Sequence, residues 1–252
     1  MLKIEHLNLS FGGLKATNDI CMHVKPNQIT ALIGPNGAGK TTLFNQITGV
    51  YKPDSGEIWF NGERIDGKRP FQINGAGISR TYQVINLFRK MTVLENVQVG
   101  MHTRLKSGYW KNLIHTKTMK AEEEASLKKA YELLDFVGLT PYAHDQAGSL
   151  SYGQQRLLEI VRGMANDPKL LLLDEPAAGM NSAEKEDLNV LIRRIVERGI
   201  TVLIVEHDMK LVMDIADDIY CIEYGTNLAN GTPEEIQKNP EVIRAYLGGD
   251  ED

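Results

Sequence analysis

The chain has 252 residues, 42% of them hydrophobic and 24% charged, which is enough for one large domain or two small ones with a real core. Its net charge of -5 argues against non-specific binding to nucleic acid. The first residues lack the apolar run of a signal peptide, and no stretch is long and apolar enough to span a bilayer, so we expect a cytoplasmic protein or one at most peripheral to a membrane.

The N-terminal third predicts short strands around one glycine-rich turn. Residues 2–11, LKIEHLNLSF, alternate apolar and polar side chains as a half-buried strand does. Residues 28–34, QITALIG, are a short apolar run that leads into the turn, and a helix is expected over residues 40–49. An edge strand with an Asn-Gly turn is expected over 56–65, and a further short strand over 78–83.

From residue 84 to about residue 163 the sequence pattern is helical. Residues 91–101, 120–138 and 151–167 have helical periodicity and composition, and no strong strand interrupts them. We therefore expect a helical subdomain inserted into an α/β core. The basic, weakly patterned stretch 102–118 is expected to be a mobile loop or an irregular helix.

The C-terminal third predicts the rest of a parallel sheet. Residues 169–175, KLLLLDE, and 201–207, TVLIVEH, are near-continuous apolar runs, which are typical of parallel strands buried on both faces. A helix over 183–199 lies between them. Residues 217–225 and 226–231 are expected to end the core, and short helices close the chain.

The chain contains two cysteines, Cys21 and Cys221. Each lies in an apolar, strand-like stretch, and neither has a Cys-x-x-Cys partner. We expect both to be buried free thiols, which favours a reducing compartment.

The sequence GPNGAGKT at residues 34–41 matches the phosphate-binding loop pattern GxxxxGK[ST], and it lies between a predicted strand and a predicted helix. The glycines let backbone N–H groups point at phosphate oxygens, while Lys40 places a charge on the β- and γ-phosphates and Thr41 offers a hydroxyl to Mg²⁺. The predicted nucleotide-binding residues of the loop are Gly34, Pro35, Asn36, Gly37, Ala38, Gly39, Lys40, Thr41 and Thr42.

Polar residues follow three of the predicted strands. Asp174 ends LLLLD and is expected to reach the magnesium, and Glu175 is placed to orient or deprotonate the attacking water. His207 ends a neighbouring strand and is expected to contact the γ-phosphate. Gln83 leaves the strand of residues 78–83 as a ligand of the water or of Mg²⁺.

Two further features predict nucleotide contacts. Phe11 ends the first strand and can stack on an adenine ring, although it could instead be a core aromatic. The sequence LSYGQ at residues 150–154 opens a helix: Ser151 can cap it, and Gly153 removes bulk from its first turn. Such a helix terminus predicts a second anion site, far along the chain from the phosphate loop.

Taken in order along the chain, these motifs resemble the ATP-binding cassette ATPases, and the match covers nearly the whole chain. The resemblance implies an α/β fold: a P-loop NTPase core with a parallel-rich sheet, an N-terminal antiparallel β subdomain and an inserted α-helical subdomain. It implies one ATPase domain over residues 1–252, in which 1–83 and 164–252 form the nucleotide-binding core and 84–163 form the helical subdomain.

The resemblance also implies ATP hydrolysis with Mg²⁺ and a reason for the second anion site. LSYGQ is similar to the family's LSGGQ signature, which binds the γ-phosphate of a nucleotide held by a second subunit. By that analogy Ser151, Gly153 and Gln154 bind the ATP of a partner chain, identical or related, packed head to tail. Two positions depart from the family pattern: Tyr152 replaces the first signature glycine, and Asn181 stands where an Asp is usual.

Within the family, residues 150–160, 174–181 and 231–248 look like the ATPase subunits of branched-chain amino acid importers. That likeness implies integral membrane permease subunits as partners and a peripheral location at the cytoplasmic face of the membrane. ATPase subunits for urea or lipopolysaccharide transport look similar, so the cargo stays open.

Two other classes of protein fit the sequence less well. A soluble cassette ATPase acting on DNA or ribosomes would carry tandem cassettes, coiled-coil insertions or a basic surface, and this chain has one cassette and a net charge of -5. A P-loop kinase would not explain LSYGQ or His207. For the importer, we expect residues 84–97 to face a helix of the membrane subunit, with Leu87, Phe88 and Met91 as anchors, unless these side chains pack the subdomain's own core.

Overall fold

A computed structural model describes residues 1–101 and 117–247 of the chain. Most of the basic stretch 102–118, expected as a mobile loop or an irregular helix, lies outside the described residues. The chain divides into two compact units, Met1–Arg80 with Lys169–Asp252 and Thr81–Pro168. We call the first the α/β unit and the second the helical unit.

The elements of the α/β unit follow the predicted order with three additions. Its strands are β1 (Leu2–Phe11), β2 (Leu14–Val24), β3 (Ile29–Ile33), β4 (Ser55–Phe60), β5 (Glu63–Arg64), β6 (Ile78–Arg80), β7 (Leu170–Asp174), β8 (Thr201–Val205), β9 (Asp218–Glu223) and β10 (Thr226–Gly231). Its helices are α1 (Lys40–Ile47), α2 (Pro70–Ala76), α6 (Ser182–Glu197), α7 (Met209–Ile215), α8 (Pro233–Gln237) and α9 (Pro240–Leu247). The additions are β2, for which only the stretch around Cys21 was read as strand-like, and the helices α2 and α7, which were not predicted.

The central sheet of the α/β unit has the order β10-β9-β3-β8-β7-β6 among the described residues. The pairs β9·β3, β3·β8, β8·β7 and β7·β6 are parallel, and β10 pairs with β9 antiparallel at one edge. Strands β3, β7 and β8 are buried along their whole length, as their apolar runs predict. The carboxyl ends of these parallel strands therefore share one edge of the sheet.

A second sheet in the α/β unit is antiparallel, with the order β2-β1-β4-β5. The Asn-Gly turn expected within residues 56–65 is present, since β4 and β5 form a hairpin across Asn61 and Gly62. The expected edge position is wrong for β4, which is interior because β1 pairs with its other side, and the two-residue β5 is the edge. The expectation for the cysteines is half wrong: Cys21 is exposed on β2, whereas Cys221 is buried in β9. Burial raises the pKa of the Cys221 thiol to about 11.

The helical unit contains α3 (Val93–Gly100), α4 (Lys117–Phe136) and α5 (Tyr152–Met164), with short 3₁₀ helices at Thr140–Tyr142 and Ala147–Ser149. Thr92 caps α3 through a capping box with Glu95. Gly100 lets α3 approach α5, since a Cβ there would lie 2.4 Å from the carbonyl oxygen of Arg162. Among the described residues, no helix is both long enough and apolar enough to cross a membrane.

Candidate functional site

The glycine-rich loop of residues 34–39 joins β3 to α1 and is enclosed by neighbouring backbone. A Cβ on Gly34 would lie 2.1 Å from the carbonyl oxygen of Ile222, and a Cβ on Gly39 would lie 2.3 Å from that of Ala16. Gly39 also has a φ of +102°, a left-handed conformation that favours glycine. As the N-cap residue of α1, Gly39 offers no side-chain cap. The first N–H groups of α1 are thus left for an anion.

Lys40 folds over this loop. Its ammonium donates to the carbonyl oxygens of Gly34 (2.7 Å) and Pro35 (2.9 Å), and the residue is 6% exposed. Burial lowers the pKa of Lys40, while the charges of Glu175 and Asp174 oppose that shift. The other predicted loop residues range from exposed to buried: Asn36, Gly37 and Thr41 are exposed, Thr42 is half-buried and Ala38 is buried. The loop, the uncapped helix and the ammonium together fit a phosphate group.

Asp174 lies at the carboxyl end of β7 and is paired with Arg80, the last residue of β6. The Arg80 guanidinium donates to Asp174 Oδ2 at 2.7 Å, and both side chains are 5% exposed. Arg80 also donates to Asn45 Oδ1 on α1 (2.7 Å) and lies over the ring of Phe44. Arg80 lay inside the predicted strand 78–83 and was not among the predicted site residues. Arg80 compensates the Asp174 charge and fixes its side chain.

Glu175 and His207 are brought together by the parallel pairing of β7 and β8. His207 Nε2 lies 2.7 Å from Glu175 Oε1. Glu175 adopts a φ of +47°, which is uncommon for a non-glycine residue, and its side chain is 16% exposed. The pair therefore holds a carboxylate and an imidazole at the sheet edge that also carries Asp174, partly open to solvent.

Glu206 is a second residue that the sequence analysis missed. It is 4% exposed, and its carboxylate accepts from the backbone N–H groups of Ala177 (2.7 Å) and His207 (3.1 Å). Burial raises the pKa of Glu206, and the charge of Glu175 adds to that effect. Through these two bonds Glu206 ties the loop after Glu175 to the loop that carries His207.

Phe11 is not a core aromatic, because it is 47% exposed at the end of β1. Its ring packs edge-to-face with the half-exposed Tyr51, with centroids 5.3 Å apart and an interplanar angle of 72°. The two rings offer an exposed aromatic platform on the α/β unit, a surface on which a planar base can stack.

The LSYGQ segment of the helical unit begins α5 as its sequence predicts. Ser151 is the N-cap: its hydroxyl accepts from the Gln154 N–H (3.3 Å), and the Gln154 side chain accepts from the Ser151 N–H (3.0 Å). Gly153 is buried and Tyr152 is 46% exposed. The Gln154 side chain therefore stabilises the first turn of α5 through the capping box, and the Tyr152 ring is exposed to solvent next to the helix N-terminus.

Gln83 belongs to the helical unit, whereas the sequence analysis placed it at the end of the nucleotide-binding core. The reason is Arg156 of α5, which is fully buried and donates to the backbone carbonyl oxygens of Gln83 and Tyr82, both at 2.8 Å. Glu159, one turn later, pairs with Arg156 at 2.7 Å. Gln83 is thus fixed to the helix that LSYGQ begins.

The chain is similar to known proteins of one family. Residues 17–178 match the family model described as ABC transporter, and residues 226–252 match the one described as branched-chain amino acid ATP-binding cassette transporter. The chain is 47% identical to the high-affinity branched-chain amino acid transport ATP-binding protein LivG of Escherichia coli (strain K12), over 98% of each chain. It is 46% identical to the corresponding protein BraF of Pseudomonas aeruginosa, also over 98% of each.

Solved structures are similar as well. A nucleotide-free ATP-binding cassette from an ABC transporter superposes with a TM-score of 0.86 at 33% identity, covering 98% of this chain and 99% of that one. A cassette in its ADP conformation superposes with the same TM-score at 34% identity, covering 98% of each chain.

We expect that Arg80→Met strongly destabilises the α/β unit. The substitution leaves the buried Asp174 carboxylate without its partner, a change that typically costs about 3–5 kcal/mol. Urea denaturation should show an earlier transition, and adding Asp174→Asn should recover most of the loss, because no buried charge then remains unpaired. Lys3→Met, which breaks an exposed pair with Glu5, is the control and should change little. An Arg80→Met chain that unfolds with the parent would contradict the pairing.

Proposed function

The chain belongs to the ABC transporter family of ATPases, and from that premise we propose that it powers a membrane importer for branched-chain amino acids. The observation that carries the proposal is the full-length 47% identity to LivG, joined by the match of residues 226–252 to the branched-chain amino acid model. That C-terminal match favours amino acids over urea or lipopolysaccharide as the cargo class.

The geometry supports a division of labour within the α/β unit. The loop of residues 34–42, with the Lys40 ammonium, binds the phosphates of ATP, and Phe11 stacks on the base. Bound Mg²⁺ would supply a positive charge that neutralises the transferred phosphoryl group, and Thr41 and Asp174 are the residues of this unit proposed to hold it. Thr41 is exposed at the start of α1, and Asp174 retains Oδ1 beside the oxygen that Arg80 engages.

Glu175 acts as the general base on the attacking water, and His207 contacts the γ-phosphate. Their 2.7 Å bond keeps the carboxylate oriented when no water has been positioned. Glu206 acts through the backbone: its bonds to Ala177 and His207 fix the loops that carry both side chains. The positive φ of Glu175 is consistent with a side chain aimed by local backbone strain.

LSYGQ acts on a second chain. Ser151 and Gly153, with Gln154 as the residue that closes the capping box, present the N-terminus of α5 to the γ-phosphate of ATP held by the partner. Two chains, identical or related, then enclose two nucleotides. Tyr152 and Asn181 would lie at this interface, where Asn181 caps α6 through its own side chain.

The permease subunits are proposed to contact the helical unit near Phe88, which places the ATPase at the cytoplasmic face of the membrane. Phe88 is 50% exposed, and the Arg162 guanidinium lies over its ring. The side chain of the fully buried Asn96 accepts from the Phe88 N–H and donates to the Phe88 carbonyl, which fixes the backbone there. Leu87 cannot be an anchor as predicted, because it is buried in the helical unit. Phe88 and the half-exposed Met91 remain as candidates.

Mixing two defective chains tests the shared site. Lys40→Ala disables the phosphate loop and keeps LSYGQ, whereas Ser151→Arg keeps the loop and blocks the helix terminus with bulk. Each chain alone should be nearly inactive, and the mixture should hydrolyse ATP because a mixed dimer contains one sound site. Ser151→Ala separates the lost cap from the added bulk and should retain more activity than Ser151→Arg.

Two results would count against the shared site: ATP hydrolysis by Ser151→Arg as a proven monomer, or mixed dimers that form and stay inert. If the native partner is a related chain, one substitution is placed in each partner.

Phe88→Ala tests the permease contact and the cargo together. In vesicles that carry the chain with its membrane subunits, we expect the variant to lose leucine uptake while its ATP binding is unchanged. Phe71→Ala, which removes an exposed aromatic ring from α2 of the other unit, is the matched control and should transport normally. Normal uptake by Phe88→Ala would exclude the contact, and a parent complex that takes up no branched-chain amino acid would exclude the cargo.

A further inference from the structure

Three side chains with metal-binding atoms meet on the antiparallel sheet of the α/β unit. His6 projects from β1, and Asp19 and Cys21 project from β2. The His6 Nδ1 atom lies 2.7 Å from Asp19 Oδ1 and 3.9 Å from Cys21 Sγ, and all three donor atoms are within 4.8 Å of one another. We propose that His6, Asp19 and Cys21 bind a divalent transition-metal ion of the Zn²⁺ type.

Irregular pairing of the two strands brings these side chains together. The register between β1 and β2 shifts between Ile4 and Leu7, which is where His6 lies. His6 and Asp19 both have positive φ values, +50° and +59°. Bulges of this kind re-aim side chains that a regular ladder would keep apart, and here they turn an imidazole and a carboxylate toward the thiol of Cys21.

Neighbouring amides fix the backbone of the three residues. The Asn8 side chain donates to the His6 carbonyl (2.6 Å) and accepts from the Asp19 N–H (2.9 Å). The Cys21 N–H donates to Asn227 Oδ1 at 2.7 Å. The backbone positions of the donor atoms are therefore set without a metal, and only side-chain rotations are needed to adjust them.

The donor set favours zinc over magnesium. One imidazole nitrogen, one thiolate and one carboxylate oxygen are ligands of Zn²⁺, whereas Mg²⁺ requires near-octahedral oxygen ligands. Zinc bond lengths place neighbouring ligand atoms of a tetrahedral site about 3.3–3.6 Å apart. The bond between His6 and Asp19 must open slightly and Cys21 must move slightly closer, and all three residues are exposed enough to do so. Water would fill the fourth position.

Metal binding has a chemical consequence at Cys21. The thiol releases its proton to solvent as the S–metal bond forms, and His6 exchanges its hydrogen bond to Asp19 for a metal bond at Nδ1. None of these residues belongs to the proposed nucleotide site, so the inference stands whether or not the proposed importer function is right.

Cobalt(II) titration of the full nucleotide-free chain tests the site, because thiolate-bound Co²⁺ has a charge-transfer absorption that oxygen-bound Co²⁺ lacks. We expect one Co²⁺ per chain with this absorption, displaced by one equivalent of Zn²⁺. Cys21→Ser should abolish the band, and His6→Ala should weaken binding by at least about tenfold. Asn8→Ala should weaken it less than His6→Ala does, because Asn8 fixes only the backbone of His6 and Asp19.

His23→Ala removes an exposed histidine that lies on β2 and is not a proposed ligand, so it is the matched control and should bind Co²⁺ like the parent. Circular dichroism and ATP binding check that each variant is folded. The proposal is overturned if the parent shows no stoichiometric band, or if the band survives in Cys21→Ser, since the buried Cys221 would then be the thiolate.

Discussion

The phosphate loop needs backbone N–H groups that face one point with no side chain in the way, and the α/β unit is organised around that requirement. Gly34 and Gly39 touch the carbonyl oxygens of Ile222 and Ala16 so closely that no Cβ fits. Gly225, in the turn between β9 and β10, donates to Ala38 within the loop (3.0 Å). The loop is thus enclosed by β2 of one sheet and by the β9–β10 hairpin of the other, so its shape depends on tertiary contacts from both ends of the chain.

Charge is balanced around the same point. Lys40 is buried among loop carbonyls, which lowers its pKa, and the nearby charges of Glu175 and Asp174 after β7 oppose that shift. Arg80 compensates Asp174, which leaves Glu175 bonded to His207 as the partly open carboxylate at this edge. A phosphate chain would bring negative charge to the side of the site where the ammonium and the helix N-terminus lie.

The strands and caps that were predicted correctly are those that a short, continuous stretch of sequence determines. The apolar runs of β3, β7 and β8 indicate buried parallel strands, and Ser151 at the start of a helical pattern indicates the cap of α5. The bounds of strand β2 were not predicted, because polar residues and the bulge at Asp19 interrupt its alternation of apolar and polar side chains.

Other features depend on contacts between distant residues, which no local pattern encodes. The role of Arg80 depends on its ion pair with Asp174, which lies 94 positions away in the sequence. The role of Glu206 depends on the hydrogen bond that it accepts from the N–H of Ala177. The position of Gln83 depends on the hydrogen bond that its carbonyl accepts from the buried Arg156. The exposure of Cys21 likewise follows from which face of β2 packs on the core, and its apolar neighbours in the sequence suggested the opposite.

We propose that the Glu175–His207 pair beside the phosphate loop is the hydrolytic centre, and the steady-state ATPase rate of Glu175→Gln decides whether it is. The amide keeps the shape of the side chain but cannot accept a proton, so the steady-state rate should fall by at least about 100-fold while intact ATP remains bound. Glu186→Gln, which alters an exposed carboxylate on α6, should hydrolyse ATP like the parent. A Glu175→Gln chain that turns over ATP at the parental rate would show that Glu175 is not the general base.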